Sequence, residues 1–169
     1  RRCRLRRRQV APLAEAALGE PVVLKNVQYF DKPPRRAYAA GGSSQPTPPH
    51  QDGAYGGHGA RPQGKPTLAL WLALSHAGPL QGGLYFALSL GSTLLPHETL
   101  PRAEATSGFE NFLERGSAAA MAIEAGEVRR DMILRPGDVV VIGSRVVHGS
   151  HPAVSAERVA FSPLYEYEL

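Results

Sequence analysis

Turn residues constrain this chain more than anything else in it. Eighteen glycines and 15 prolines are spread through 169 residues, so apolar sequence survives only in short runs. Those runs lie at 22–24, 27–30, 67–74, 84–90, 139–142 and 158–165, and they are rich in Val, Leu and aromatic residues. Joints such as Gly82-Gly83 and Arg135-Pro136-Gly137-Asp138 separate them. Short β-branched and aromatic runs between Gly/Pro punctuation predict strands, and a helix bundle cannot be built from them. The expected fold is mainly β, a sandwich or jelly roll with a few short helices. Residues 9–19 predict one helix, with Pro12 in its first turn and Gly19 at its end. Residues 109–113 predict a single helical turn. Residues 31–49 and 53–66, dense in Pro, Gly and Ser, predict loops on either side of the His50 strand.

The length predicts one domain over 1–169, with a basic segment at 1–8 and a core from about residue 20 onward. The net charge of +4 is misleading, because Arg1, Arg2, Arg4, Arg6, Arg7 and Arg8 supply six of the 19 basic residues. Without that segment the chain would carry about −2. A basic tail of this kind touches nucleic acid or an anionic surface in some proteins, but it is more often the exposed end of a helix or linker, and nucleic acid is not expected as a partner. No apolar run reaches the roughly 20 residues that span a membrane, so no membrane partner is expected. Cys3 is the single cysteine. It allows no internal disulfide and no cysteine-based zinc site, which suits a reducing, cytoplasmic location.

Chemistry concentrates in two stretches. In Thr47-Pro-Pro-His-Gln-Asp52, His50 and Asp52 stand two apart, so on an extended strand both side chains leave the same face. His148, in Val-Val-His-Gly-Ser, offers a third donor. Two histidines and one carboxylate hold one face of an octahedral Fe(II) and leave three positions open. Ser150 shares the face of His148. Arg158, at the start of the next apolar run, would come back alongside the His148 strand if 154–157 form the connection. A dicarboxylic cosubstrate such as 2-oxoglutarate needs a planar, two-pronged donor for its far carboxylate, and a guanidinium supplies one. Among the remaining histidines, His151 is close enough to compete with His148. It would face the other way on a regular strand, and Pro152 follows it, so His148 is preferred. His58, His76 and His97 have Gly, Pro and Ser neighbours and are expected at the surface. Tyr55, Tyr85 and Tyr165 fit a substrate mouth or the core equally well.

These segments resemble the phytanoyl-CoA dioxygenase family of Fe(II)- and 2-oxoglutarate-dependent oxygenases. The likeness runs in order through Lys32-Pro33-Pro34, His50-Gln51-Asp52 with Tyr55, Trp71-Leu-Ala-Leu74, Gly82-Gly83-Leu84 with Leu90-Gly91-Ser92, Gly137-Asp138, His148-Gly149-Ser150 and Arg158-Val-Ala160. It implies a double-stranded β-helix with a cupin-like jelly roll. It implies His50, Asp52 and His148 as iron ligands and Arg158 and Ser150 on the 2-oxoglutarate tail. Trp71 would line that pocket, and Gln28 would touch the cosubstrate. The intact Asp52 speaks for hydroxylation, since halogenases on this scaffold replace that carboxylate with Gly or Ala. Leu90 and Thr93 depart from the family's Pro-Gly-Ser-His segment, and the helical region before the first strand is short.

The expectation is therefore an Fe(II)/2-oxoglutarate dioxygenase that uses O2 to hydroxylate a small-molecule or acyl substrate, releasing succinate and CO2. Two alternatives stay open on sequence alone: a non-catalytic cupin-like metal protein, and a β-sandwich binding module that uses its basic tail.

Overall fold

The computed structural model describes residues 7–34, 44–55, 67–91, 93–100 and 111–167. Among the described residues ten strands form three antiparallel sheets, accompanied by two α-helices. The larger sheet has the order β1(Val22–Lys32), β10(Arg158–Tyr167), β3(Leu68–Ala73), β8(Val139–Gly143). The smaller has the order β2(Thr47–His50), β9(His148–Ser150), β4(Leu84–Phe86), β7(Arg130–Asp131). From β1 to β4 and again from β7 to β10 successive strands alternate between the sheets, while β4 and β7 share the smaller one. This is the winding of a double-stranded β-helix. A hairpin of β5(His97–Thr99) and β6(Asn111–Leu113) forms the third sheet, with β6 packed against β2.

The core shows that the two sheets face each other. Ala69, Trp71, Ala73, Ile142, Ala160 and Leu164 of the larger sheet pack in one cluster with Leu84 and Phe86 of the smaller. The opposite face of the larger sheet is covered by α1(Arg7–Leu18). There Ala14, Val10, Ala11 and Leu18 meet Leu68, Leu70 and Tyr165. Residues 68–73 are therefore buried on both faces, which explains why that run reads as continuously apolar.

Several local expectations change. The α1 helix starts earlier than its sequence signals indicated, so Pro12 lies inside it and not in its first turn. The interruption at Lys25-Asn26 is a bulge within one continuous strand. The register against β10 slips between Leu24 and Asn26, and pairing then resumes to Lys32. Residues 111–113 form strand and not a helical turn, because the hairpin partner at 97–99 supplies the ladder. The helix in this region comes later, as α2(Ala118–Glu124), where the Ser117 hydroxyl accepts from the Ala120 N–H. The β8 strand is only partly buried, since it forms an edge and leaves Val139 and Val141 exposed. Among the described residues no helix is long and apolar enough to cross a membrane. The arginine-rich segment 1–6 and His58 lie outside the described residues.

Candidate metal centre

The chain brings the His50/Asp52 pair and the distant His148 together at the inner face of the smaller sheet. His50 ends β2 and His148 opens β9, and the two are direct partners in the antiparallel ladder. Their rings stand 4.4 Å apart. Asp52 begins a single 3-10 turn, Asp52–Ala54, which the Gly53 N–H ties to the Ser144 carbonyl at 2.7 Å. The Asp52 Oδ1 atom lies 3.6 Å from Nε2 of His50 and 3.7 Å from Nε2 of His148. One donor atom from each of the three residues fits within 4.8 Å of the others. Neighbouring donors bound at about 2.1 Å to one ion stand roughly 3–3.5 Å apart, and the two distances from Asp52 come close to that spacing.

Backbone carbonyls decide which nitrogen of each ring faces inward. The Nδ1 of His50 is 2.9 Å from the Pro48 carbonyl, and that of His148 is 3.0 Å from the Val146 carbonyl. A carbonyl only accepts, so Nδ1 carries the proton and Nε2 presents its lone pair to the centre. Burial first, and then the neighbouring His148, lowers His50 to about 4. A neutral imidazole at ordinary pH is the form that binds a metal. Phe86 stacks on His148, while Phe112 and Tyr55 meet His50 edge-on.

Between the two donors, Gln51 has no exposed surface. Its amide oxygen accepts from the Leu95 N–H at 2.8 Å, and its amide nitrogen donates to the Thr93 and Arg145 carbonyls. Its own backbone N–H donates to Nε2 of His97, whose Nδ1 lies 2.7 Å from the Leu95 carbonyl. His97 is thus a partly buried fixture of this segment and not a surface histidine. The other competing histidine is also accounted for, because Nε2 of His151 sits 2.7 Å from Asp131.

A cavity of about 490 Å³ opens beside the three donors. Gln28, Tyr55, Trp71, Ser150 and Arg158 all line it. Tyr85 and Tyr165 belong to hydrophobic clusters. Arg158 does not return beside the His148 strand. It starts β10 in the opposite sheet, where it pairs with Lys32 of β1 and reaches the cavity from across the sandwich. It is also no surface ion pair, being 3 % exposed. Its Nε donates to the Gly82 carbonyl at 3.1 Å, and the guanidinium lies 5.3 Å from the Trp71 ring. Its Nη1 is buried with no hydrogen-bond partner. Burial lowers Arg158 to about 10, and Asp31 opposes the shift.

Sequence reasoning gave Lys32 a place in a motif but no task. Its ammonium donates to the Ser150 hydroxyl at 2.8 Å and to the His151 carbonyl at 2.9 Å. The available signal was strand parity, since Asn26, Phe30 and Lys32 are at least partly buried while Val27, Tyr29 and Asp31 are exposed.

Comparison with solved structures agrees with this architecture. EvdO2 from Micromonospora carbonacea var. aurantiaca, complexed with 2-oxoglutarate, superposes with a TM-score of 0.70 at 24% identity, over 94% of this chain and 58% of that one. AviO1 from Streptomyces viridochromogenes gives 0.63 at 27% identity, over 95% and 58%. The non-haem alpha-ketoglutarate-dependent epimerase SnoN from nogalamycin biosynthesis gives 0.62 at 24% identity, over 94% and 52%. The chain therefore spans between half and three-fifths of the length of these proteins. Among curated proteins none matches. Strand winding, donor set and motif order agree with the family match over residues 2–160: the chain belongs to the phytanoyl-CoA dioxygenase (PhyH) family.

Proposed function

We propose that this protein is an Fe(II)- and 2-oxoglutarate-dependent oxygenase that hydroxylates a small-molecule or acyl substrate. The observation that carries the reading is the meeting of two Nε2 atoms and one carboxylate oxygen at a cavity wall, with a buried guanidinium holding an unpartnered Nη1 on the same cavity. Two imidazoles and a carboxylate suit non-haem Fe(II) and leave room for a chelating cosubstrate. His50, Asp52 and His148 would hold the ion. Bound there with 2-oxoglutarate and O2, it supplies the oxidising equivalent for C–H hydroxylation, with succinate and CO2 as coproducts.

The chain's own part is placement and exclusion. Arg158 offers its free N–H groups to the far carboxylate, and Ser150 adds a hydroxyl from the facing sheet. Trp71 packs against the guanidinium and closes one wall. Gln28 stands on the same lining and is assigned to the cosubstrate's polar end. Leu84, Ile142 and Leu164 make the rest of that wall apolar, which keeps bulk water from the reacting atoms. The carboxylate at position 52 would take the coordination place that a halide needs, which favours hydroxylation.

The test is succinate formation from 2-oxoglutarate under air with added Fe(II). Wild type should form succinate, and Asp52→Ala should fall to the protein-free rate. Equal rates in the two proteins would overturn the proposal.

A further inference from the structure

Arg158 and Lys32 present an electrostatic problem. They are direct partners across the β1–β10 ladder, and each is 3 % exposed. Among the described residues neither forms an ion pair. Two adjacent buried cations are unfavourable unless an anion completes the arrangement. Arg158 reaches the cavity, but Lys32 is not part of its lining. It lies behind Ser150, with its ammonium on the Ser150 oxygen and on the His151 carbonyl.

That contact determines what the Ser150 hydroxyl does. With its oxygen already accepting from Lys32, and at 3.4 Å from the Thr47 N–H, the hydroxyl is left to act as a donor. Its acceptor in this structure is the Thr47 hydroxyl at 2.9 Å. Thr47 and Ser150 both line the cavity, so an entering carboxylate oxygen competes for that proton at close range. Gly82 makes the packing possible. A Cβ there would sit 2.5 Å from the Lys32 Cδ, and the same residue's carbonyl holds the Arg158 Nε.

We propose that Lys32 is a positioning residue for the cosubstrate tail: it fixes Ser150 as a donor toward the cavity and adds a second positive charge behind it. The far end of the bound 2-oxo acid must then be a carboxylate and not a neutral group. This rests on the oxygenase reading above. The shift of Lys32 to about 7, caused by burial and then by Arg158, fits a group whose charged form is favoured once an anion arrives.

The experiment is calorimetric titration of the Mn(II)-loaded protein without oxygen, using two probes. One is 2-oxoglutarate, and the other is 2-oxopentanoate, which has the same carbon skeleton with a methyl at the far end. Wild type should prefer 2-oxoglutarate strongly. Lys32→Met should weaken 2-oxoglutarate about 10- to 100-fold and leave 2-oxopentanoate within about twofold, the size expected for a charge-assisted contact. In a Ser150→Ala background the same change should cost much less, because Lys32 acts through that hydroxyl. Lys32→Gln, which keeps a hydrogen-bond donor without the charge, should fall between wild type and Lys32→Met and serves if the methionine variant does not fold. Equal weakening of both probes, or unchanged discrimination in the Lys32 variants, would overturn the positioning role. If wild type binds neither probe, the oxygenase reading itself fails.

Discussion

In the larger sheet β1 and β10 run for 11 and 10 residues, whereas no strand of the smaller sheet exceeds four. The long sheet is held by its own ladder and by apolar packing on both faces of β3. The short one cannot be, since two to four residues provide few ladder bonds. Its strands are fixed instead by side chains that bond to backbone: His50 and His148 to carbonyls two residues back, and Gln51 to three backbone groups in two segments. The proposed donors His50 and His148 lie on this short sheet, with Asp52 on the turn after β2, and the two buried cations lie on the long one. The cavity between them is where a rigid wall meets a wall built of polar bonds. Stability should thus depend mostly on the first and chemistry on both.

The most severe test of that division is removal of the donors. Asp52→Ala and His148→Ala should each abolish stoichiometric metal binding while the circular dichroism spectrum stays that of wild type. Unfolding of either variant would break the comparison, and full metal retention in His148→Ala would transfer the ligand role to His151. Next in size, Arg158→Leu should raise the 2-oxoglutarate requirement about 10- to 100-fold and move the iron requirement less than about twofold. Equal effects on both would mean that the two walls do not act separately. Gln51→Ala should destabilise by about 3 kcal/mol in urea denaturation, because three backbone groups lose their partner, and should weaken metal binding about tenfold.

The smallest effect is a pH slope. The Lys32 ammonium titrates near 7 in the folded chain, against 10.5 ordinarily, because of burial and then Arg158. Between those values the unfolded chain binds more protons, so stability of the metal-free protein should rise with pH across that window. From pH 7 to about pH 9 the gain over Lys32→Met should be about 1–2 kcal/mol. A flat difference would mean that the long sheet hides no poorly accommodated cation.

The sequence carried the short strands and the motif residues openly, because an alternating apolar pattern and a His-x-Asp spacing are local properties. Contacts across the sandwich were not visible in this way. Arg158 was expected beside His148 because ten residues separate them, yet the connection crosses to the other sheet, and only the full winding order reveals that. Lys25-Asn26 looked like a break because a bulge has the composition of a turn. Residues 111–113 became strand because of a partner at 97–99, and nothing in the three residues announces one. Gln51 passed as a spacer between two candidate ligands, since the value of its amide comes from backbone groups at 93, 95 and 145.

His50, His97 and His148 all aim one ring nitrogen at the carbonyl two positions earlier in their own chain. Each ring is thereby oriented by its immediate neighbours in sequence and needs no residue from a distant segment to hold its tautomer. Such a centre is ready before any ion arrives, so capture requires little rearrangement. It also leaves the far walls of the chamber free to diverge, and a lineage could exchange one substrate for another without disturbing the atoms proposed to hold the metal.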